Sequence, residues 1–185
     1  MFNFGSAVFA SGPSVSPTAK VIFVCDYFAD ELLGGAELTT QALIDSSPFE
    51  VSRIKSRELT LQLIQDNASK FWVFGNFAEI NPQLIPHIVG NVKYSVLEYD
   101  YKYCKARSPE KHAEIEGHVC DCHNQMTGKV ISAFYYGAIH LWWMSEKQKD
   151  RYTMMFPFLS ERTSTVLSSV FDVNTLTTLR MLGIS

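Results

Sequence analysis

The chain has 185 residues, and 16 Lys plus Arg against 19 Asp plus Glu leave a formal charge of −3. Hydrophobic residues make up 46% and charged residues 19%, which excludes a disordered chain and supplies one domain with a real core. The mild negative charge, with no basic block, excludes a dedicated nucleic-acid binder.

The first nineteen residues carry no charged side chain and are rich in Ser, Gly, Pro and Phe. A secretion signal needs a basic start before its apolar run, so residues 1–19 read as a flexible leader. The uncharged run Val130 to Met144 is interrupted by Ser132, Gly137 and His140. It is short of the roughly 18 apolar residues of a membrane span and reads as a helix followed by a strand. Four cysteines are too few for a disulfide scaffold, so the expected setting is reducing and cytoplasmic.

The folded part is expected from Lys20 onward. Val21 to Cys25 is a continuous apolar run, the mark of a strand buried on both faces. Gly34-Gly35 follows, then a helix over Ala36 to Ile44. Phe49 to Ile54 reads as a strand and Glu58 to Ile64 as a helix. Phe71 to Phe74 is a strand stopped by Gly75-Asn76, and Pro82 to Val89 a short helix, since Pro suits a first turn. Val92 to Leu97 is the next strand.

Ser108-Pro109 opens a polar helix to about Glu116, and Lys129 to Gly137 reads as another. Ile139 to Trp143 is a strand. Ser145 and Gln148 are spaced as a capping box, which predicts a helix to about Met155. Ser164 to Ser168 is the last strand, and Asp172 or Asn174 caps a helix over Thr175 to Leu182. Strands alternating with helices predict one open, doubly wound, Rossmann-like α/β domain, its mostly parallel sheet covered by helices on both faces.

Ligands of such sheets bind beyond the carboxyl ends of the strands. That rule selects Asp26, Tyr27, Gly75, Asn76, Glu98 to Tyr101, Met144, Ser145, Ser168 and Ser169. The Gly34-Gly35-Ala36-Glu37 loop adds glycines that permit positive φ or close approach, and a helix start that suits an anion. It is neither G-x-G-x-x-G nor a P-loop, and a plain Gly-Gly turn with Glu37 stabilising the helix start is the competing reading.

A strand, a loop ending in Gly-Gly-Ala-Glu and a helix resemble the start of GT-B glycosyltransferases, the family 4-like nucleotide-sugar enzymes. Phe71 to Asn76, Trp142 to Gln148 and Ser164 to Asp172 are similar to later segments of that family, over about Lys20 to Asp172. The resemblance implies an acceptor-side half, residues 20–185, with the donor-binding second domain absent. It implies a nucleotide-sugar donor and a glycan or small-molecule acceptor. The missing half would come from a further domain or a partner chain, and the exposed cleft face gives a separate reason to expect a homo-oligomer. Gly34, Gly35 and Glu37 match the motif and would face the cleft, together with Asn76, Glu98 and Ser145. Asp100 occupies the place of the family's His or Asp after the fourth strand, as contact to a sugar hydroxyl or as base. A non-catalytic Rossmann-like module that binds a nucleotide or a protein is the alternative.

Cys120-Asp121-Cys122-His123, with Cys104 sixteen residues earlier, is the other unusual feature. Thiolates and imidazole are the ligands of structural zinc, so Cys104, Cys120, Cys122 and His123 form a candidate metal set. The spacing is not the common C-x₂-C, and a disulfide or unliganded burial are the alternatives.

Overall fold

The computed structural model describes residues 13–183. Six strands build one parallel open sheet: β1 (Val21–Cys25), β2 (Val51–Lys55), β3 (Phe71–Phe74), β4 (Lys93–Glu98), β5 (His140–Trp143) and β6 (Ser164–Val166). Their order is β2-β1-β3-β4-β5-β6. The helices are α1 (Gly35–Asp45), α2 (Leu61–Asp66), α3 (Ile85–Asn91), α4 (Pro109–Glu116), α5 (Met126–Gly137), α6 (Glu146–Met155) and α7 (Val173–Leu182). The predicted α/β class holds. The chain steps outward from β1 to β2 and then returns across β1 to β3. Its winding therefore reverses between the carboxyl ends of β1 and β3, where open sheets place ligands.

Successive strand residues face opposite sides of the sheet. Ile22, Val24, Trp72, Phe74, Tyr94, Val96, Leu141 and Trp143 point to the larger core, which Ile64, Ile88, Phe134 and Tyr135 complete from the helices. Tyr94 stacks on Phe134 with ring centroids 4.8 Å apart, and its hydroxyl donates to the Phe134 carbonyl at 2.6 Å. Phe23, Cys25 and Leu97 face the other way, onto a smaller core with Phe28 and with Leu43 and Ile44 of α1. The continuous apolar runs of the central strands are thus the product of burial on two sides.

Boundaries shift where local chemistry decides. The expected helix Glu58 to Ile64 is a 3-10 turn at Ser56–Glu58 followed by α2, because the Thr60 side chain accepts from Leu63 N and caps the second piece. Pro82–Leu84 is a 3-10 turn leading into α3. α5 starts at Met126, three residues before Lys129. β6 stops at Val166, short of Ser168, which takes a positive φ of 62° that ends the extended run. The leader boundary also moves. Lys70 Nζ donates to the carbonyls of Ser16, Pro17 and Ala19, and Ser16 N donates to Ser52 Oγ, so residues 16–19 belong to the domain. Residues 1–12 of the expected leader lie outside the described residues. No described helix is long and apolar enough to cross a membrane.

Candidate functional site

At the switch point the residues after β1, β3 and β4 meet. Asp26 is buried, and its carboxylate accepts from Ala78 N at 2.9 Å, Glu79 N at 3.0 Å and the Ser56 hydroxyl. It is a latch between loops, with its capacity used internally. Gly75 lies under β1 and α1: a Cβ there would meet Cys25 Sγ at 2.7 Å and Thr40 Oγ1 at 3.4 Å. Thr40 in turn shares a 2.8 Å hydrogen bond with the Tyr99 hydroxyl. Burial pushes the Cys25 thiol up to about 12, which keeps it a protonated packing group.

The glycines of the first loop act differently from expectation. Gly34 is the N-cap of α1 with φ −106°, in the extended region, and neither Gly34 nor Gly35 has a positive φ. A Cβ on Gly34 would sit 2.2 Å from Glu37 Oε2, whereas one on Gly35 would meet open space. Gly34 therefore makes room for the buried Glu37 carboxylate, which folds back over the helix start. In this position Glu37 orders the loop at the helix start. Tyr27, Leu32 and Leu33, in the same loop, are exposed, Leu33 at 78%.

After β4 comes a charged cluster. Asp100 pairs with Lys102 Nζ at 3.3 Å and with Arg107, whose Nη2 also donates to Asn76 Oδ1. Asn76 and Asp100 are thus brought together by one guanidinium. Lys105 pairs with Glu116. Arg107 itself, with φ +57°, was not singled out from the sequence. Ser145 is the N-cap of α6 and accepts from Gln148 N at 3.1 Å. Gln148 answers by accepting from Met144 N and donating to the Asp100 carbonyl, which ties α6 to the β4 loop. Ser168 and Ser169 follow β6 at the sheet's outer edge.

Glu98 lies beneath this cluster, its side chain 1% exposed. Oε1 accepts from the backbone N–H of Asp100 and Lys102, and Oε2 has no hydrogen-bond partner among the described residues. It shapes the loop from below, away from the surface expected of a ligand contact. Burial pushes its carboxyl up to about 8, opposed by the Lys102 ammonium 3.6 Å away. The folded state then holds this proton more tightly than the unfolded state, whose carboxyl titrates near 4.5. Stability should fall as pH rises between those values, by at most about 1.4 kcal/mol per pH unit. Glu98→Gln should flatten that part of the profile. Urea unfolding of both proteins at pH 5 and pH 8.5 checks it, and parallel profiles would refute the assignment.

The second constellation lies between β4 and α5. Cys104, His112, Cys120 and Cys122 are all buried, and their ligand atoms lie within 4.8 Å of one another. His112 Nδ1 is 3.7 Å from Cys104 Sγ and 3.5 Å from Cys122 Sγ, and Cys104 Sγ is 3.5 Å from Cys120 Sγ. All four cysteines of the chain are free thiols. This buried cluster could hold a metal. The fourth member is His112 of α4, a correction to the expected His123. The His123 ring instead packs edge-on against Phe156, and Gly128 of α5 beds against the Cys122 carbonyl and the His123 backbone. A 3-10 turn at Cys122–Asn124 points neighbouring residues in different directions, so adjacency to Cys122 does not bring His123 to the thiols.

No protein-family model, no curated protein and no solved structure matches the chain.

Proposed function

We propose that the chain is the acceptor-side half of a GT-B-type glycosyltransferase, transferring sugar from a nucleotide-sugar donor once a donor-binding domain is supplied. The observation that carries the reading is the carboxyl edge of β1 and β3. There the α1 start, with Gly34 and Glu37, stands beside exposed apolar Tyr27, Leu32 and Leu33. An exposed apolar edge suits an interface with another domain. In this reading Asp100 accepts a hydrogen bond from an acceptor hydroxyl, and Arg107 fixes it in place from the side of Asn76.

The Cys/His cluster would carry zinc. A tetrahedral zinc with bonds of about 2.3 Å to sulfur and about 2.0 Å to nitrogen sets S···S edges of about 3.8 Å and S···N edges of about 3.5 Å. The distances given above lie close to these edges. With four protein ligands such an ion contributes folding free energy and has no open position for chemistry. Its part is to hold the segment that carries Asp100 and Arg107. Free cysteines and zinc both suit a reducing, cytoplasmic setting.

The test is nucleotide release from a panel of nucleotide sugars, measured on the full natural gene product that carries this chain. Turnover is expected, and Asp100→Ala should lower kcat/KM by roughly a hundredfold with zinc content unchanged. Absence of turnover with every donor would overturn the transferase reading. Turnover with unchanged kcat and acceptor KM in the variant would remove Asp100 alone.

A further inference from the structure

A cavity of about 310 Å³ opens between the loop after β3, the loop after β4 and the start of α5. The proposed transfer chemistry shares Arg107 with it but uses none of its apolar walls. Phe77, Ile80, Ile85, Val130 and Ile131 make its floor and walls. Met126 stands at its mouth, 75% exposed. Lys102, Lys105 and Arg107 also line it, and no carboxylate does among the described residues. The acids that pair with these cations, Glu98, Asp100 and Glu116, lie outside the lining. The cavity thus combines an apolar interior with positive charge at one side.

Two features mark the cationic side. Lys102 is held with its side chain only 3% exposed, its ammonium 5.1 Å from the centre of the Phe77 ring. Asp100 and Glu98 already offset part of the cost of burying this ammonium, and an anion in the cavity would offset more. Arg107 adopts φ +57°, a region that non-glycine residues enter at a cost and that clusters at ligand clamps. Its Nη2 is engaged by Asn76 and Asp100, while its Nε is buried with no hydrogen-bond partner. The guanidinium also lines the cavity, so its charge acts on an anion placed there.

We infer that this cavity binds an amphipathic anion: a short apolar chain inserted toward Ile85 and Ile131, with a phosphate or carboxylate head on Arg107 and Lys102. The volume stands at the small end of ligand cavities, which suits a chain of a few carbons over a polycyclic body. Guanidinium and ammonium groups take either head, so the shared chemistry is the anion on an apolar tail. The inference does not rest on the transferase reading, since it needs neither donor nor turnover.

Isothermal titration calorimetry on the chain described here, with hexyl phosphate, hexanoate, hexyl glucoside and inorganic phosphate below any micellar concentration, tests it. One saturable site for hexyl phosphate or hexanoate is expected, at least tenfold tighter than for hexyl glucoside or inorganic phosphate. The tighter of the two anions identifies the head. Arg107→Gln should weaken it tenfold or more. Met126→Glu, at an exposed position, should do the same by placing a carboxylate at the mouth. Both variants must keep the parent melting temperature and metal content. Equal affinity for hexyl glucoside would show that the cations read nothing, and equal affinity for inorganic phosphate that the apolar interior is unused. Either result, or no saturable binding of the anions, overturns the proposal.

Discussion

Purified without an affinity tag, the protein should contain about one zinc per chain, and His112→Ala should lose it while His123→Ala keeps it. The contrast follows from geometry. His112 Nδ1 lies 3.5 Å from Cys122 Sγ, while His123 packs against Phe156. Structural zinc contributes on the order of 10 kcal/mol of apparent binding free energy in small peptides, where it drives folding outright. Here the sheet has its own core, so metal removal should cost less. A loss of roughly 3–5 kcal/mol is expected, or about 10 °C in melting temperature for a domain of this size. Hydrogen exchange should show the loss as local, with the segment between β4 and α5 opening first and the central strands staying protected. Cys122→Ser should reproduce the chelated state. Mass spectrometry giving less than about 0.2 zinc per chain, with the thiols still reduced, would sink the assignment. Zinc retained by His112→Ala would show that the fourth ligand is elsewhere.

The sheet was largely legible in the sequence because the central strands are buried on both faces. Val21 to Cys25 and Phe71 to Phe74 announce themselves as unbroken apolar runs. What local pattern could not give was long-range pairing. His112 was passed over because the C-x-C-H cluster offers a nearer histidine, and proximity in sequence is a poor guide across a turn. A usable signal was present. The helix Pro109–Glu116 is largely polar, and in the structure it buries His112 together with Pro109. His112 also lies eight residues after Cys104 and eight before Cys120, which brackets it between thiols. Arg107 gave no such sign. Its importance comes from a backbone conformation and from partners at positions 76 and 100, none of which a single sequence displays. The same limit applies to Glu98, which ends a strand as a ligand contact would, but turns under the loop.

Asp26→Ala should cost about 3–5 kcal/mol, and the loss should appear as stability before it appears as any change in binding. The strand-end rule marks Asp26 as a surface contact, but its carboxylate is enclosed. It accepts from Ala78 N, Glu79 N and the Ser56 hydroxyl, so it closes the β3 loop and the turn after β2 onto the end of β1. Alanine leaves these donors without an acceptor in a site too tight for ready hydration, at about 1–3 kcal/mol for each buried donor. The part-buried position of the two backbone donors puts the sum at the lower end. Asparagine keeps the size and one acceptor oxygen, so Asp26→Asn should lose about half as much. Urea denaturation of the three proteins measures the order directly. If Asp26 were a ligand contact, both substitutions would leave unfolding unchanged and remove binding instead. An unfolding midpoint for Asp26→Ala equal to that of the parent would therefore return Asp26 to the surface of the cleft. The expected loss keeps it as the latch that holds the switch-point loops in register for Asn76, Asp100 and Arg107.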